Sequence, residues 1–211
     1  MAGTRATAEE TAPAAVDWQS YTDLSLHSIL EAALTEFQQH GYHGTTVRAI
    51  AARAGLTMPS LYYHFGSKEG IFAALLEVAM DDLQLHIEAG LAAADDTPTK
   101  FDNFVRSIVL HYVHRRGLAM LHHEYRFLGD EFRARYVVRR EFVERTLEDI
   151  LEAGIAEGLF IKDDTRFSTR VLLGMFGGIL NWYREGGPLS AAEIADRYTR
   201  DAVRMVSRHS D

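Results

Sequence analysis

With 211 residues, 47% of them hydrophobic and none of them cysteine, the chain can bury a sizeable core but can have neither a disulfide framework nor a thiolate metal site. A formal net charge of −8 excludes a protein that holds polyanions by bulk attraction, so any nucleic-acid contact has to be local and geometric. No apolar leader and no uninterrupted apolar run of about 18 residues is present, which predicts a cytoplasmic globular protein with no membrane span.

Residues 1–21 are rich in Ala, Thr and Glu, contain Pro13, and read as a mobile tail. Arg5 in this tail has two readings, a minor-groove arm or a solvated side chain. From residue 22 to 40, Leu26, Ile29, Leu30, Ala33, Leu34 and Phe37 recur at the three-four spacing of an amphipathic helix. Two short helices joined by a tight turn follow within residues 41–69. Thr45 or Thr46 offers the hydroxyl of an N-cap, Val47, Ile50, Ala51 and Ala54 form one apolar face, and Gly55 stops the first helix. Thr57 can cap the second, which has Pro59 in a first turn whose N–H groups lack partners anyway. Leu61 and Phe65, four apart, turn inward and leave Met58, Ser60, Tyr62, Tyr63 and His64 on the other faces. A helix too short to form a core, presented in this way, suits the second helix of a helix-turn-helix, which enters the DNA major groove.

The same residues carry a resemblance. The Gly-x-x-x-Thr-Thr-Val entry from Gly41, the Ile50-Ala51 and Ala54-Gly55-Leu56 elements, and Pro59-Ser60-Leu61-Tyr62 followed by His64-Phe65 and Ser67-Lys68-Glu69 are similar, without a gap, to the DNA-binding domain of the TetR family of bacterial transcriptional regulators. The match spans about residues 24–75. It implies that Met58, Ser60 and Tyr63 read base edges, that Arg48 makes a further base or phosphate contact, and that Thr46, Tyr62, His64 and Lys68 lie near phosphates of an operator. Arg suits a bidentate contact to guanine, Met or a Tyr ring suits a thymine methyl, and hydroxyls reach phosphates. Tyr62 and His64 could equally hold the small domain together.

Beyond the head, a helix is predicted over 68–93 with Ile71, Leu75, Leu76, Val78, Ala79, Leu83 and Ile87 as its buried stripe. The resemblance implies that it links the DNA-binding head to a ligand-binding body and acts as a lever. After a loop at Asp95-Asp96-Thr97-Pro98, helices are expected over 99–116, 118–128, 130–157, 163–185 and 190–208, with Gly158 and Gly186-Gly187-Pro188 as breaks. The fold class is therefore all-α: a three-helix head over 22–67 and a helical ligand-binding and dimerisation body over 68–211. The last two helices carry more apolar surface than a terminal pair needs, from Phe167, Val171 and Met175 to Tyr198 and Met205, and Gly174 and Gly178 permit close backbone approach. Two-fold dimerisation through these helices is expected, since paired half-sites need paired recognition helices. Packing within one chain is the alternative.

Between Arg106 and Arg145, nine arginines stand against five acids, interleaved with aromatic and apolar residues. An apolar cavity with a cationic mouth would suit an amphiphilic acid, whereas a solvated face with intrahelical pairs such as Arg140 with Glu144 is the plainer reading. Candidate ligand residues are Phe104, Ile108, His111, Tyr112, Arg115, His122, Tyr125, Arg126, Phe176, Trp182 and Tyr183. A second resemblance, on Gly174-Met175, Trp182-Tyr183-Arg184 and Gly186-Gly187-Pro188-Leu189-Ser190, is to TetR-family regulators of fatty-acid and sterol breakdown and implies an acyl-coenzyme A thioester as small-molecule effector. Gly177-Gly178 departs from that pattern, where bulkier side chains are usual. His111, His114 and His122 raise a competing class, a metal-dependent helical enzyme, but no His-Glu-x-x-His order is present and no cofactor is implied. An effector-independent architectural DNA-binding protein is a third class.

Overall fold

The computed structural model describes residues 17–207. Three helices form the head: α1 (Ser28–Gly44), α2 (Val47–Ala54) and α3 (Met58–Phe65). The body consists of α4 (Lys68–Ala92), α5 (Thr97–His114), α6 (Arg116–Leu121), a 3-10 segment (His122–Phe127), α7 (Asp130–Ala156), α8 (Thr165–Gly177), α9 (Ile179–Trp182) and α10 (Ala191–Val206). Extended pairing among the described residues is confined to an isolated bridge between Phe160 and Ser207. No helix among them is long and apolar enough to cross a membrane.

Local chemistry sets most of the boundaries. The Thr46 hydroxyl accepts from the Ala49 N–H at 3.1 Å and caps α2, which ends at Gly55 in the left-handed region at φ 65°. Thr57 occupies the N-cap position of α3 but makes no side-chain cap bond, so Pro59 and the tertiary packing of Leu61 start that helix instead. Ser67 caps α4 by accepting from the Gly70 N–H at 3.0 Å. Gly70 itself is required by close approach: a Cβ there would overlap the Phe65 carbonyl oxygen, so α3 and α4 meet backbone to backbone.

The packed centre is built on α4 and α5, where Phe72, Leu75, Leu76, Ile87, Phe101, Phe104 and Ile108 are fully enclosed. Side chains of this size, each stabilising by about 1.5–3 kcal/mol on burial, are enough to anchor the body before α7 and α10 cover its flanks. The apolar face of α10 (Ile194, Ala195, Ala202, Val206) is buried, and its outer face is charged.

Three expectations change. The first helix starts at Ser28, capped by His27, and bends at Gly41, where φ is 67°. The helix expected over 163–185 is divided at Gly178, whose N–H still reaches the Gly174 and Met175 carbonyls, and it ends at Trp182 because Tyr183 turns extended. Residues 17–21 pack against the body instead of belonging to a tail: Trp18 is buried against Gly90, and Tyr21 donates its hydroxyl to the Ser107 carbonyl. Arg5 lies outside the described residues.

Candidate DNA-reading face and effector cavity

The face presented by α3 is unusually apolar for a surface. Tyr63 is 86% exposed, Tyr62 46% and Met58 36%, with Arg48 and His64 exposed beside them and Ser60 half-buried. Leu61 and Ile50 beneath are fully buried and fix the two helices on α1. Arg53 donates to the buried Glu36 at 2.6 Å and clamps α2 on α1. Of the two residues with a double reading, Tyr62 stands out into solvent, while the His64 ring lies 5.7 Å from that of His27. Thr46 is exposed and uses its oxygen as a cap, which leaves its O–H as a donor.

Lys68, expected near a phosphate, also makes contacts within the chain. Its ammonium donates to the carbonyls of Tyr42 at 2.7 Å and Thr45 at 3.0 Å and lies 4.4 Å from the centre of the Tyr42 ring. Burial pushes its pKa down. Lys68 is thus a strut that fixes the α1–α2 corner to the start of α4.

That corner also meets the 3-10 segment. Glu124 accepts from the Tyr42 N–H at 2.7 Å, and Phe127 stacks on Tyr42 and meets the His43 ring edge at 4.3 Å. Glu69 at the start of α4 accepts from the Gly129 N–H at the start of α7. The Tyr42 corner of the head is therefore held by side chains of both α4 and the 3-10 segment.

The 3-10 segment begins at His122, which lines a cavity of about 650 Å³ between α4, α5, α7 and α8. Met80, Leu83, Tyr136 and Val143 form its buried wall; His123, Arg140, Arg170, Gly174 and Asn181 stand at its exposed side. Its size is that of small-molecule sites, and its lining combines an apolar wall with many polar groups, Tyr112, His123, Glu144 and Asn181 among them. Arg140 is paired with Glu144 at 2.8 Å, the intrahelical pair legible in the sequence, yet this pair borders the cavity instead of a plain solvated face. Arg170 makes no ion pair among the described residues. Gly174 and Gly177 would bring a Cβ into open space. Within the chain, these glycines leave the cavity wide instead of letting helices touch.

Only part of the expected ligand set is brought together. Tyr112 and His122 line the cavity, and Tyr125 packs on Tyr136 with ring centres 5.0 Å apart. Phe104, Ile108 and Phe176 are enclosed in the core. Arg126 is exposed over the Phe127 ring. Trp182 and Tyr183 line a separate hollow of about 240 Å³ with Pro188, Leu189 and Ile194. His111 and Arg115 belong to a different assembly. Asp82 on α4 lies 3.2 Å from His111 Nδ1 and 3.2 Å from Arg115 Nε, and Arg115 also donates to the Thr22 carbonyl at 2.6 Å. Tyr21 stacks on His86 at 3.9 Å and on His114 at 4.9 Å. Burial would raise the Asp82 pKa, but hydrogen bonds and charge from His111 and Arg115 outweigh it and hold the carboxyl low. Burial lowers His111 against the pull of Asp82. His111, His114 and His122 thus have three different partners, and among the described residues no group of three potential ligands converges on one point.

Residues missed in the sequence, such as Met80, Tyr136, Arg170 and Leu173, sit on helix faces whose inward direction depends on how α7 and α8 cross. The surface expected to meet a second copy is also narrower than predicted. Leu172, Phe176, Ile179, Leu180, Ile194, Ala202 and Val206 are buried within the chain, while Phe167 at 60%, Val171, Trp182 and Met205 remain exposed.

Residues 29–75 match a family model described as bacterial regulatory proteins, tetR family, and residues 94–206 match one described as tetracyclin repressor-like, C-terminal domain. The chain is 31% identical over 173 residues to the HTH-type transcriptional repressor KstR2 of Mycolicibacterium smegmatis, covering 81% of this chain and 84% of that protein. The TetR family regulator PfmR from Thermus thermophilus superposes with a TM-score of 0.77 at 29% identity, over 83% of this chain and 97% of that one. AibR, solved in complex with isovaleryl coenzyme A and operator DNA, superposes with a TM-score of 0.74 at 26% identity, over 82% and 94%. A presented helix-turn-helix on a helical body with its own cavity, together with these matches at both ends of the chain, makes this protein a member of the TetR family of bacterial transcriptional regulators.

Proposed function

We propose that the chain is a cytoplasmic repressor that binds a palindromic operator as a homodimer and is released by an acyl-coenzyme A thioester. It acts by binding alone, without chemical turnover. One observation carries this reading: the cavity of about 650 Å³ has an apolar wall, an arginine-bearing rim, and a lining residue, His122, that begins the segment holding the head. An acyl chain fits the wall formed by Met80, Leu83, Val143 and Leu173, and Arg170 and Arg140 favour an anionic head group at the rim. Likeness to KstR2 and to AibR supports the same class.

Release follows from geometry. A ligand that repositions His122 moves Glu124 and Phe127, and these two hold the Tyr42 corner of the head. Movement at α4 reaches the recognition helix through the tight α3–α4 contact at Gly70. Two heads whose separation changes no longer fit half-sites one turn apart. On the reading face, Met58, Ser60, Tyr63 and Arg48 serve as base readers, and Thr46, Tyr62 and His64 lie toward phosphates.

The test is a polarisation titration with DNA from immediately upstream of the gene, with and without decanoyl-coenzyme A. Tight binding to a short palindrome, abolished by the thioester and spared by free coenzyme A, is the expected result. Tight binding indifferent to every thioester removes the effector class, and binding without sequence preference at moderate salt removes the repressor.

A further inference from the structure

Residues 17–27 lie on the body as a strap. His86 of α4 donates its Nδ1–H to the Trp18 carbonyl at 2.8 Å, and the Trp18 ring, 8% exposed, rests on Gly90, where a Cβ would come within 3.3 Å of it. Tyr21 stacks on His86 and His114 and donates its hydroxyl to the Ser107 carbonyl of α5 at 3.2 Å. Arg115 holds the next residue through the Thr22 carbonyl. Leu24 and Leu26 follow, both partly buried against the core.

The far end of the strap lies on the head. His27 accepts from the Ile29 N–H at 3.3 Å and so caps α1, and its ring lies 5.7 Å from that of His64 and 6.2 Å from that of Phe65, at the end of α3. A segment anchored in this way has already lost the conformational freedom that a tail keeps, so it transmits a displacement instead of absorbing it. α3 thus has two connections to α4 and α5: the chain that leaves it through Gly70, and the strap that precedes α1.

The geometry points to a second arm: residues 17–27 set the position of the recognition helix on the body, and undocking them from α4 and α5 lets the head swing about the α3–α4 junction. The docking residues sit on the two helices that also wall the cavity through Met80, Leu83 and Tyr112. A change in the spacing of α4 and α5 therefore reaches α3 through the strap as well as along α4. Paired half-sites respond to the spacing of the heads, so such a strap regulates without touching DNA. Nothing in this depends on which ligand the cavity takes.

The experiment measures distances in the full-length protein by double electron–electron resonance. The chain has no cysteine, so introduced cysteines carry the spin labels alone. Ala52→Cys on α2 with Val138→Cys on α7, both exposed, reads the head against the body; Lys100→Cys on α5 with Val138→Cys reads the body by itself. Labelled protein is diluted into unlabelled protein, so that only distances within one chain are read. The second tryptophan is Trp182, so in a Trp182→Phe background the emission reports whether Trp18 is docked.

Tyr21→Ala is expected to red-shift that emission and to broaden or displace the head–body distance while leaving the body distance unchanged. His27→Ser, which keeps an N-cap oxygen but removes the ring, is expected to broaden the head–body distance with Trp18 still docked. An unchanged head–body distance in Tyr21→Ala overturns the arm: with Trp18 exposed, the strap only covers α4 and α5, and with Trp18 docked, Tyr21 does not hold it. Equal broadening of both distances also overturns it, since the strap then holds the body together. If Tyr21→Ala does not fold, the head–body distance in His27→Ser decides the matter by the same criterion.

Discussion

Arg115, the residue that ends α5, closes on Asp82 of α4 at 3.2 Å, and the same guanidinium donates to the Thr22 carbonyl at 2.6 Å, so one enclosed pair ties two body helices to the segment that enters the head. His111 completes the arrangement from the turn before Arg115, and His86 faces the other carboxylate oxygen at 3.9 Å. An enclosed carboxylate with these neighbours holds its partners as much as they hold it.

Asp82→Asn is expected to lower unfolding stability by about 3–5 kcal/mol, because it leaves the Arg115 charge in a dry site without a counter-charge. Chemical denaturation of the variant checks this. A loss below about 1 kcal/mol would mean that the pair is open to water and belongs with ordinary surface bridges.

Acid is expected to unfold the protein in two overlapping stages. The pKa of His122 falls from 6.5 in the unfolded chain to about 3 in the folded one. The unfolded state therefore binds more protons between those values, so stability is unaffected above about pH 6.5 and declines below it, by up to about 1.4 kcal/mol per pH unit. The Asp82 pKa is also lower in the folded state than its ordinary 3.8, so its contribution is present above that value and is lost as the pH falls through the lower, folded one. Denaturation midpoints between about pH 7 and pH 4 should fall less steeply in His122→Phe than in the wild type; parallel curves would place the acid sensitivity elsewhere.

The helices were largely legible because their signals are local: Thr46, Gly55 and Ser67 mark ends whatever the rest of the chain does. The exposed face of α3 was legible for a related reason, since a helix as short as α3 has few faces and Leu61 takes the inner one. The cavity was not. Arg140 and Glu144 look like a solvated pair in sequence, and only the crossing of α7 with α4 and α8 turns them to the mouth. Arg115 and His111 show cationic or polar character but not that Asp82, 33 and 29 positions away, claims both. Trp18 and Tyr21 were hidden by the composition around them, since two aromatics in an Ala-rich and Thr-rich stretch carry no periodicity.

On the head, Tyr63→Ala and Lys68→Met are expected to separate recognition from support. Tyr63 is 86% exposed, so its truncation should change stability by no more than about 0.5 kcal/mol while weakening operator binding tenfold or more. Lys68→Met leaves the Tyr42 and Thr45 carbonyls without their donor and should lower stability by about 1–3 kcal/mol. Operator affinity together with thermal melting distinguishes the two; a destabilised Tyr63→Ala would show that the ring supports the head instead of reading DNA.

A charge placed on the exposed face of α8 tests the dimer. Phe167 is 60% exposed and Val171, one turn on, 39%, with Met205 of α10 also uncovered. Phe167→Arg is expected to shift the protein from dimer to monomer in sedimentation at micromolar concentration and to abolish operator binding with it. A dimer of unchanged affinity would move the interface to another face.

Gly174 allows the two readings of its helix to be set against each other. A Cβ at this position meets nothing within 4 Å, and the residue borders the cavity. If its role is to leave space for a ligand, Gly174→Ala should stabilise the chain by about 0.5–1 kcal/mol, the usual gain of Ala over Gly in a helix, and keep the dimer intact. Gly174→Phe should then retain operator binding while losing its release by acyl thioester, because the ring occupies the mouth between Arg140 and Arg170. If the glycine instead lets α8 approach a second copy, even the Ala variant should weaken dimerisation, and the Phe variant should lose operator binding outright. Sedimentation and operator titration of the two variants, with and without decanoyl-coenzyme A, give opposite patterns in the two cases, because a methyl group adds to a free helix what it takes from a tight contact.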